Sequence, residues 1–345
     1  MSEGLPLREE VPVRETWDLK DLFTSDQAFY QTLEQVVQMS LDFNHTYYQK
    51  LNNIETIEKA LDEYERILIE IDRLYNYPEL RLSVDTSNEE AQKVNAKLNT
   101  TSGKLAGLLS FVDSEILELP DEIISELRSQ TKYPHFIKQL QDRKPYQLSA
   151  DVEKVLATLT QTLRSPFELY GTTKSLDINF ESFDYEGVTY PLDYATFENE
   201  YEDHPSPEFR RKSFRAFSDA LRQYQHTTAA TYNMQVQQEK IEADLRGYDS
   251  VIDYLLQDQE VTKDMFDRQI DVIMSDLAPV MQKYAEIIQR VHNLDKMRFE
   301  DLKISIDPNF EPEISIEESK KYIYGALKVL GDDYVKMLES AYDYR

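Results

Sequence analysis

The chain has 345 residues, no cysteine and a formal net charge of −27. This negative charge repels phosphate backbones and anionic lipid, so we expect neither nucleic acid nor a membrane as a partner. Without cysteine there are no disulfides and no thiolate metal ligands, and no basic, apolar signal opens the sequence, which favours a cytoplasmic location. Glycine is scarce, at 8 residues, which favours a mainly helical fold.

Residues 1–119 predict an N-terminal arm followed by a bundle of long antiparallel helices. We expect Trp17, the one tryptophan, to anchor the arm to the body of the protein. Apolar side chains then recur at spacings of three and four, which predicts amphipathic helices joined by short connections. The predicted helices span about 26–51, 54–77 and 87–116. The second keeps this spacing without a miss from Ile54 to Tyr75, and Pro78 is expected to end it.

Residues 120–200 predict shorter helical segments and one small β-hairpin. In the helix that begins at Ser149, we expect Val152, Val155, Leu159 and Leu163 to face inward. Apolar and polar residues then alternate on both sides of Glu186-Gly187, which is typical of two antiparallel strands. The expected strand residues with apolar side chains are Leu176, Ile178, Phe180, Val188, Tyr190 and Leu192.

Residues 201–345 begin with the stretch around which the rest of the chain is expected to pack. Ser206 is a predicted N-cap, Pro207 suits the first helical position and Gly247 is the expected stop. No proline or glycine interrupts this stretch, so it predicts a single helix about 60 Å long. The side chains expected on its inward face include Phe214, Phe217, Tyr232 and Val236.

A second long amphipathic pattern runs from Thr262 to Leu294, and Pro279 within it predicts a kink near Ser275. Ser315 and Glu318 then predict a capping box at the start of another helix. The helical pattern is still running at the last residue of the sequence.

Spacing alone predicts no catalytic, cofactor-binding or metal-binding residue. The five histidines are too far apart in sequence for the i, i+4 pair of a zinc helix. They are His45, His135, His204, His226 and His292. A calcium-loop pattern at Asp307, Asn309, Glu311 and Glu318 has Pro312 at its obligatory glycine position, so we interpret Asp307 as a turn residue.

Several stretches, taken in order, nevertheless carry a resemblance. They are Arg14-Glu15-Thr16-Trp17-Asp18-Leu19, the segment from Arg143 to Glu153, Phe214-Arg215-Ala216-Phe217, Arg246-Gly247-Tyr248-Asp249-Ser250 and Leu330-Gly331-Asp332-Asp333-Tyr334. In this order they resemble the oligoendopeptidase F family, which are thimet-oligopeptidase-like zinc metallopeptidases. The resemblance implies a helical peptidase that hydrolyses short peptides with zinc as its cofactor.

The resemblance also implies a part that this sequence lacks. In the family, an H-E-x-x-H helix and a later carboxylate hold the zinc, downstream of the segment that corresponds to 341–345. We therefore interpret residues 201–345 as the front, incomplete part of a peptidase domain. The chain would be inactive alone, with short peptides and a missing C-terminal catalytic part as its partners. The alternative is a non-catalytic helical protein that binds peptides or a partner chain through the long apolar faces at 54–75 and 266–294.

Overall fold

The computed structural model describes residues 8–307, 310 and 312–344. As predicted, this part of the chain is mainly α-helical with one small antiparallel hairpin. The helices are α1 (Asp26–Tyr47), α2 (Ile54–Val84), α3 (Glu89–Leu109), α4 (Phe111–Leu117), α5 (Asp121–Gln130), α6 (Pro134–Arg143), α7 (Ala150–Leu163), α8 (Ser165–Thr172), α9 (Tyr194–Thr196), α10 (Pro207–Gln223), α11 (Gln225–Arg246), α12 (Val251–Gln257), α13 (Lys263–Val272), α14 (Ala278–Val291), α15 (Ile316–Leu327) and α16 (Asp332–Tyr344). The strands are β1 (Phe183–Tyr185) and β2 (Val188–Tyr190). No helix among the described residues has both the length and the apolar character of a membrane span.

The chain divides into two compact units. The bundle unit comprises Leu22–Asp177 and Tyr224–Asp271, and the hairpin unit comprises Met1–Asp21, Ile178–Gln223 and Val272–Arg345. The division into domains at 1–119, 120–200 and 201–345 stays a prediction. Trp17, in contrast, is 67% exposed, so the expectation that it anchors the arm is wrong.

Helices α1, α2 and α3 pack against one another in the bundle unit. The predicted inner face of α1 is confirmed, since its apolar side chains are almost completely buried. These are Phe29, Leu33, Val36, Phe43 and Tyr47. Side chains of Ser25 and Asn53 accept backbone hydrogen bonds at the starts of α1 and α2, which satisfies donors that a helix leaves unpaired.

Pro78 lies inside α2 and does not end it, contrary to prediction, because the helix continues to Val84. A proline removes one helical hydrogen bond, and contacts with α1 offset that loss here. Arg81 pairs with Asp26 at 2.6 Å, and the Tyr77 hydroxyl donates to the same carboxylate at 2.9 Å.

The buried face of α2 also turns along the helix. Ile57 and Leu61 are buried as predicted, but further on Leu74 is buried while Leu68 and Tyr75 are exposed. An α-helix has 3.6 residues per turn, so a strict seven-residue apolar repeat drifts by about 20° per heptad around a straight helix. The second half of the predicted seam is consequently left without a neighbour.

Helix α7 packs on α3 at a point where α3 carries glycine. A Cβ atom added at Gly103 would lie 3.3 Å from the carbonyl oxygen of Thr158, so the two helices approach closely at this glycine. The prediction of which face of α7 points inward is wrong. Val152, Val155 and Leu159 are exposed, and a different face, described below, lines a cavity.

The predicted single helix from Pro207 is in fact two helices, α10 and α11. Tyr224 separates them with a non-helical backbone (φ −105°, ψ 5°), and its hydroxyl donates to the carbonyl of Asp177 at 2.6 Å. The break coincides with the boundary between the two units. Both predicted ends are confirmed, since Phe209 N–H donates to Ser206 Oγ and Gly247 adopts φ 79°.

Two aspects of the α11 and hairpin predictions need correction. Tyr232 and Val236 on α11 are exposed and do not face inward as predicted.

The predicted hairpin turn at Glu186-Gly187 is confirmed, with φ values of 50° and 80° that match a two-residue type I′ turn. The first strand lies later than predicted, because Phe183 pairs with Tyr190, while residues 173–177 form a π-helical turn.

The hairpin unit has an aromatic core at its strands. Phe183, Phe197, Tyr201, Phe209 and Phe217 are buried in one cluster. The rings of Phe197 and Phe217 stack with centroids 4.2 Å apart, while Phe183 and Tyr201 meet edge to face. Because two strands alone are marginally stable, this cluster accounts for the order of the hairpin.

The predicted helix from Thr262 to Leu294 consists of α13 and α14 joined by a π-helical segment, Ile273–Leu277. This π-helical segment lies at the position of the kink that Pro279 predicts near Ser275. Most of the predicted inward face is exposed, however. The exposed side chains of that face are Ile270, Ile273, Leu277, Val280, Tyr284 and Val291.

The capping box at the start of α15 is confirmed, since Ser315 and Glu318 exchange both hydrogen bonds. The carbonyl of Asp307 accepts from Phe310 N–H at 3.0 Å, as in a turn. Asn309 and Glu311 of the calcium-loop pattern lie outside the described residues.

Candidate ligand cavity

A polar cavity of about 420 Å³ lies within the bundle unit. Helix α7 contributes one continuous face at spacings of three and four, formed by Glu153, Leu156, Ala157 and Thr160. The charged residues that line the cavity include Asp113, Arg143, Glu153, Arg164, Glu242 and Arg246. The volume falls within the range of small-molecule sites.

Two stretches that are distant in sequence meet at this cavity. Tyr146, from the segment 143–153, stacks on Tyr248 with ring centroids 3.7 Å apart and planes at 11°. Arg246 donates two hydrogen bonds to Glu153, from Nη1 to Oε1 at 2.7 Å and from Nη2 to Oε2 at 3.1 Å. A bidentate pair of this kind fixes the relative orientation of the two side chains and also strengthens their interaction. The two stretches therefore form one structural site.

Gly247 explains how Arg246 and Tyr248 come to face the same cavity. The left-handed backbone at Gly247 ends α11 while Tyr248 N–H bonds back to the carbonyl of Ala243 at 3.0 Å. Glycine adopts this conformation without a steric penalty. The chain thereby reverses direction between the guanidinium and the tyrosine ring.

The pair formed by Arg246 and Glu153 controls the charge on one side of the cavity. Burial raises the pKa of Glu153, but hydrogen bonds from Arg246 and from Leu148 N–H outweigh it, and the pKa lies below its ordinary value. Burial likewise lowers the pKa of Arg246, and the hydrogen bond to Glu153 reverses that change. Both groups are therefore charged and mutually satisfied at neutral pH.

Replacing Glu153 by alanine is expected to lower the free energy of unfolding by about 2–3 kcal/mol, because a partly buried guanidinium loses its charged hydrogen bonds. Thermal and urea unfolding of the variant measure this change. The control is Glu55→Ala, which removes the exposed i, i+4 partner of Lys59 and should cost clearly less, because exposed ion pairs contribute little to stability. Equal losses in the two variants would contradict the structural role of the pair.

Asp113 is an acidic residue of the cavity wall, and burial disfavours the charged form of its carboxyl group. Burial raises its pKa; Arg143 opposes this change and Glu153 adds to it. Among the described residues, none donates a hydrogen bond to its carboxylate. Burial therefore disfavours the charged form of Asp113, which is partly buried in the cavity wall.

The Asp113→Asn variant is expected to be more stable than the parent at neutral pH. A carboxyl whose pKa is raised on folding contributes stability below its unfolded pKa and loses it as pH rises through the folded pKa. Each unit of that rise corresponds to about 1.4 kcal/mol. Melting temperatures of both proteins between pH 3 and pH 8 test this, with Glu118→Gln as an exposed control. A difference that stays constant over this range would be evidence against it.

The residues present do not fit a zinc ion. Within the part of the chain that the structure describes, no group of three or more His, Asp or Glu side chains could hold a metal. Two histidines serve local structure: His204 Nδ1 accepts from Ser206 N–H at 3.1 Å, and His292 Nε2 lies 2.8 Å from the carbonyl of Ser305. We derive no chemical step through a metal from these residues.

Comparisons with known proteins agree with this fold. The crystal structure of oligoendopeptidase-F from Enterococcus faecium superposes with a TM-score of 0.72 over 91% of this chain and 61% of that chain, at 22% identity. A putative peptidase from Chlamydophila abortus gives a TM-score of 0.67 over 98% of this chain and 57% of the other. The fold is therefore that of helical oligopeptidases.

Sequence comparison gives the family. Residues 115–180 match the family described as Oligopeptidase F, and residues 201–327 match Peptidase family M3. Oligopeptidase PepF of Bacillus subtilis is 25% identical over 99% of this chain and 51% of its own length. An oligoendopeptidase F homolog of Lactococcus lactis is 22% identical over 98% and 57% respectively. The chain belongs to peptidase family M3, and it spans about half the length of the curated relatives it matches.

The cavity was only partly foreseen from the sequence. The segment 143–153 and the stretch 246–248 stood out by resemblance, but nothing in their spacing indicated that they touch. Asp113 lay within an ordinary amphipathic helix pattern. The available signal was an acid among apolar residues such as Val112 and Ile116, which are both completely buried.

Proposed function

We propose that this chain is the N-terminal portion of an oligoendopeptidase F-like zinc metallopeptidase that hydrolyses short peptides. The observation that carries the proposal is the pattern of coverage: 98–99% of this chain aligns with 51–57% of relatives that are named as oligopeptidases. The metal site of the complete enzyme would lie outside these residues. The cytoplasmic location remains a prediction.

Exposed surface supports a missing partner. Large exposed apolar areas of soluble proteins are typical of interfaces. In the bundle unit, the exposed apolar side chains of α11 include Tyr232 and Met234. In the hairpin unit, they include Ile273 and Met274 of the π-helical segment and Val280 and Met281 of α14.

The experiment that tests this proposal is the nucleotide sequence that follows codon 345. An H-E-x-x-H motif downstream, in frame or in a neighbouring frame, is the expected result. A natural stop codon directly after residue 345, with no such motif nearby, would overturn the proposal.

The exposed face of α13 and α14 also favours a second candidate, a non-catalytic helical protein that binds peptides or a partner chain. Under this alternative, the apolar face would be covered by a partner helix. Light scattering and thermal unfolding at high dilution discriminate the two. A monodisperse monomer that unfolds cooperatively without any partner would speak against the alternative.

A further inference from the structure

A second, apolar cavity of about 310 Å³ lies in the bundle unit and shares part of its wall with the polar cavity. The shared residues are Ser110, Asp113 and Ala157, so the carboxylate of Asp113 lies where the two cavities meet. The apolar cavity is otherwise lined mainly by Tyr64, Leu68, Ile71, Tyr75, Leu105 and Leu109.

The apolar cavity lies along the second half of the α2 seam, where α3 and α7 supply the opposite wall but leave part of the seam exposed. Leu68 is 41% exposed and Tyr75 is 37% exposed, although both belong to an otherwise regular apolar pattern. Covering such surface is favourable by about 25 cal/mol per Å². An apolar side chain of a ligand would supply the missing cover.

The charges in the polar cavity divide into satisfied and unsatisfied groups. Arg246 and Glu153 satisfy each other. Arg143, in contrast, donates from Nε to the carbonyl of Gln139 at 3.4 Å, and its two terminal nitrogens donate to none of the described residues. Asp113 likewise accepts from none of them. Among the charged groups of the polar cavity, Asp113 is the one that also lines the apolar cavity, and Arg143 is the guanidinium whose charge acts on it.

We propose that the bundle unit binds the amino-terminal end of a short peptide whose first side chain is apolar. The α-ammonium group binds the Asp113 carboxylate, because an ammonium has three donors and restores the lost solvation of a buried acid. The first side chain fills the apolar cavity. The following peptide carbonyls lie in the polar cavity and accept hydrogen bonds from Arg143.

The inference rests on the proposed function for the class of ligand, a short peptide, and on the two cavities for its orientation. It concerns binding by this chain alone and requires neither a metal nor a second polypeptide. Binding of an ammonium group also gives a role to Asp113, whose burial costs stability. Replacing Asp113 is expected to stabilise the protein.

The test is calorimetric titration of three tripeptides into the 345-residue chain. The probes are Leu-Ala-Ala, its N-acetyl derivative and Ser-Ala-Ala. We expect saturable binding of Leu-Ala-Ala, at least about tenfold weaker binding after acetylation, and several-fold weaker binding of Ser-Ala-Ala.

Variants test the contribution of each cavity to binding separately. Asp113→Asn should weaken Leu-Ala-Ala about as much as acetylation does, and it should leave the affinity for the acetylated peptide unchanged. The double variant Leu68→Ser/Tyr75→Ser should reduce the preference for leucine over serine, and both of its sites are already exposed. Glu118→Gln, an exposed acid outside both cavities, should bind all three peptides as the parent does.

No saturable binding of Leu-Ala-Ala, or equal binding of its acetylated form, overturns the inference. So does an unchanged affinity of Asp113→Asn for the free peptide. Since hydrolysis is not measured, these results leave the proposed function intact. Conversely, binding as expected together with a stop codon directly after residue 345 overturns the proposed function alone.

Discussion

Residues 1–345 alone are expected to bind no stoichiometric zinc and to release no product from a fluorogenic oligopeptide. Peptide hydrolysis without a nucleophilic side chain requires an activated water, and zinc supplies one only when its ligands are present. The sequence has no cysteine and no histidine pair at helical spacing. The described residues contain no group of side chains that could hold a metal.

Under the proposed function, adding a C-terminal polypeptide that carries the H-E-x-x-H helix is expected to give both zinc binding and turnover, because the zinc ligands are then present. From the sequence, we predict that it packs against the helix that starts at Pro207. Metal analysis and the peptide assay are run on the chain, on its complement and on their mixture. Chelator-sensitive turnover by the purified chain alone would show that this prediction is wrong.

Replacing Asp301 by alanine is expected to lower the free energy of unfolding by about 3–5 kcal/mol, which is the usual cost of leaving one buried charge unpaired. The carboxylate is completely buried and lies 2.6 Å from Nη2 of Arg210, which is 1% exposed. Its other oxygen accepts from Arg298 N–H at 3.2 Å and lies 3.5 Å from Arg211. Chemical denaturation, followed by the fluorescence of tyrosine, measures the loss.

Two further variants make the Asp301 prediction specific. Asp295→Ala removes an exposed partner of Arg211 and should cost much less than Asp301→Ala, because exposed ion pairs contribute little to stability. The double variant Arg210→Met/Asp301→Leu should recover much of the loss, because two apolar side chains need no partner. Nε of Arg210 has no partner among the described residues, so the parent pair is already imperfectly satisfied. A double variant less stable than Asp301→Ala would refute the argument from an unpaired charge.

The exposed apolar face of α14 and the buried apolar face of α1 lie in segments that the sequence presented as similar amphipathic helices. The sequence could not distinguish them, because a seam of apolar residues has the same spacing whether the chain itself or a partner covers it. The same ambiguity left the function open between an enzyme portion and a binding protein.

The sequence by itself determined the features that depend on neighbouring residues along the chain. Helix starts at Ser206 and Ser315, the helix end at Gly247 and the hairpin turn at Glu186-Gly187 all lie where local backbone and capping preferences place them. The collinear resemblance to the peptidase family was available in the same way. These features require no knowledge of what packs on what.

Only the tertiary structure decided which face of each helix is buried. Helix α7 turns Glu153 and Ala157 inward, because Arg246 attracts the carboxylate and the glycine-bearing surface of α3 admits a small side chain. The long helix breaks at Tyr224, where its two halves belong to different units. Burial raises the pKa of Asp113, and Glu153, which is distant in sequence, adds to that rise. Burial and electrostatics depend on neighbours brought together by folding, and periodicity along one helix does not specify those neighbours.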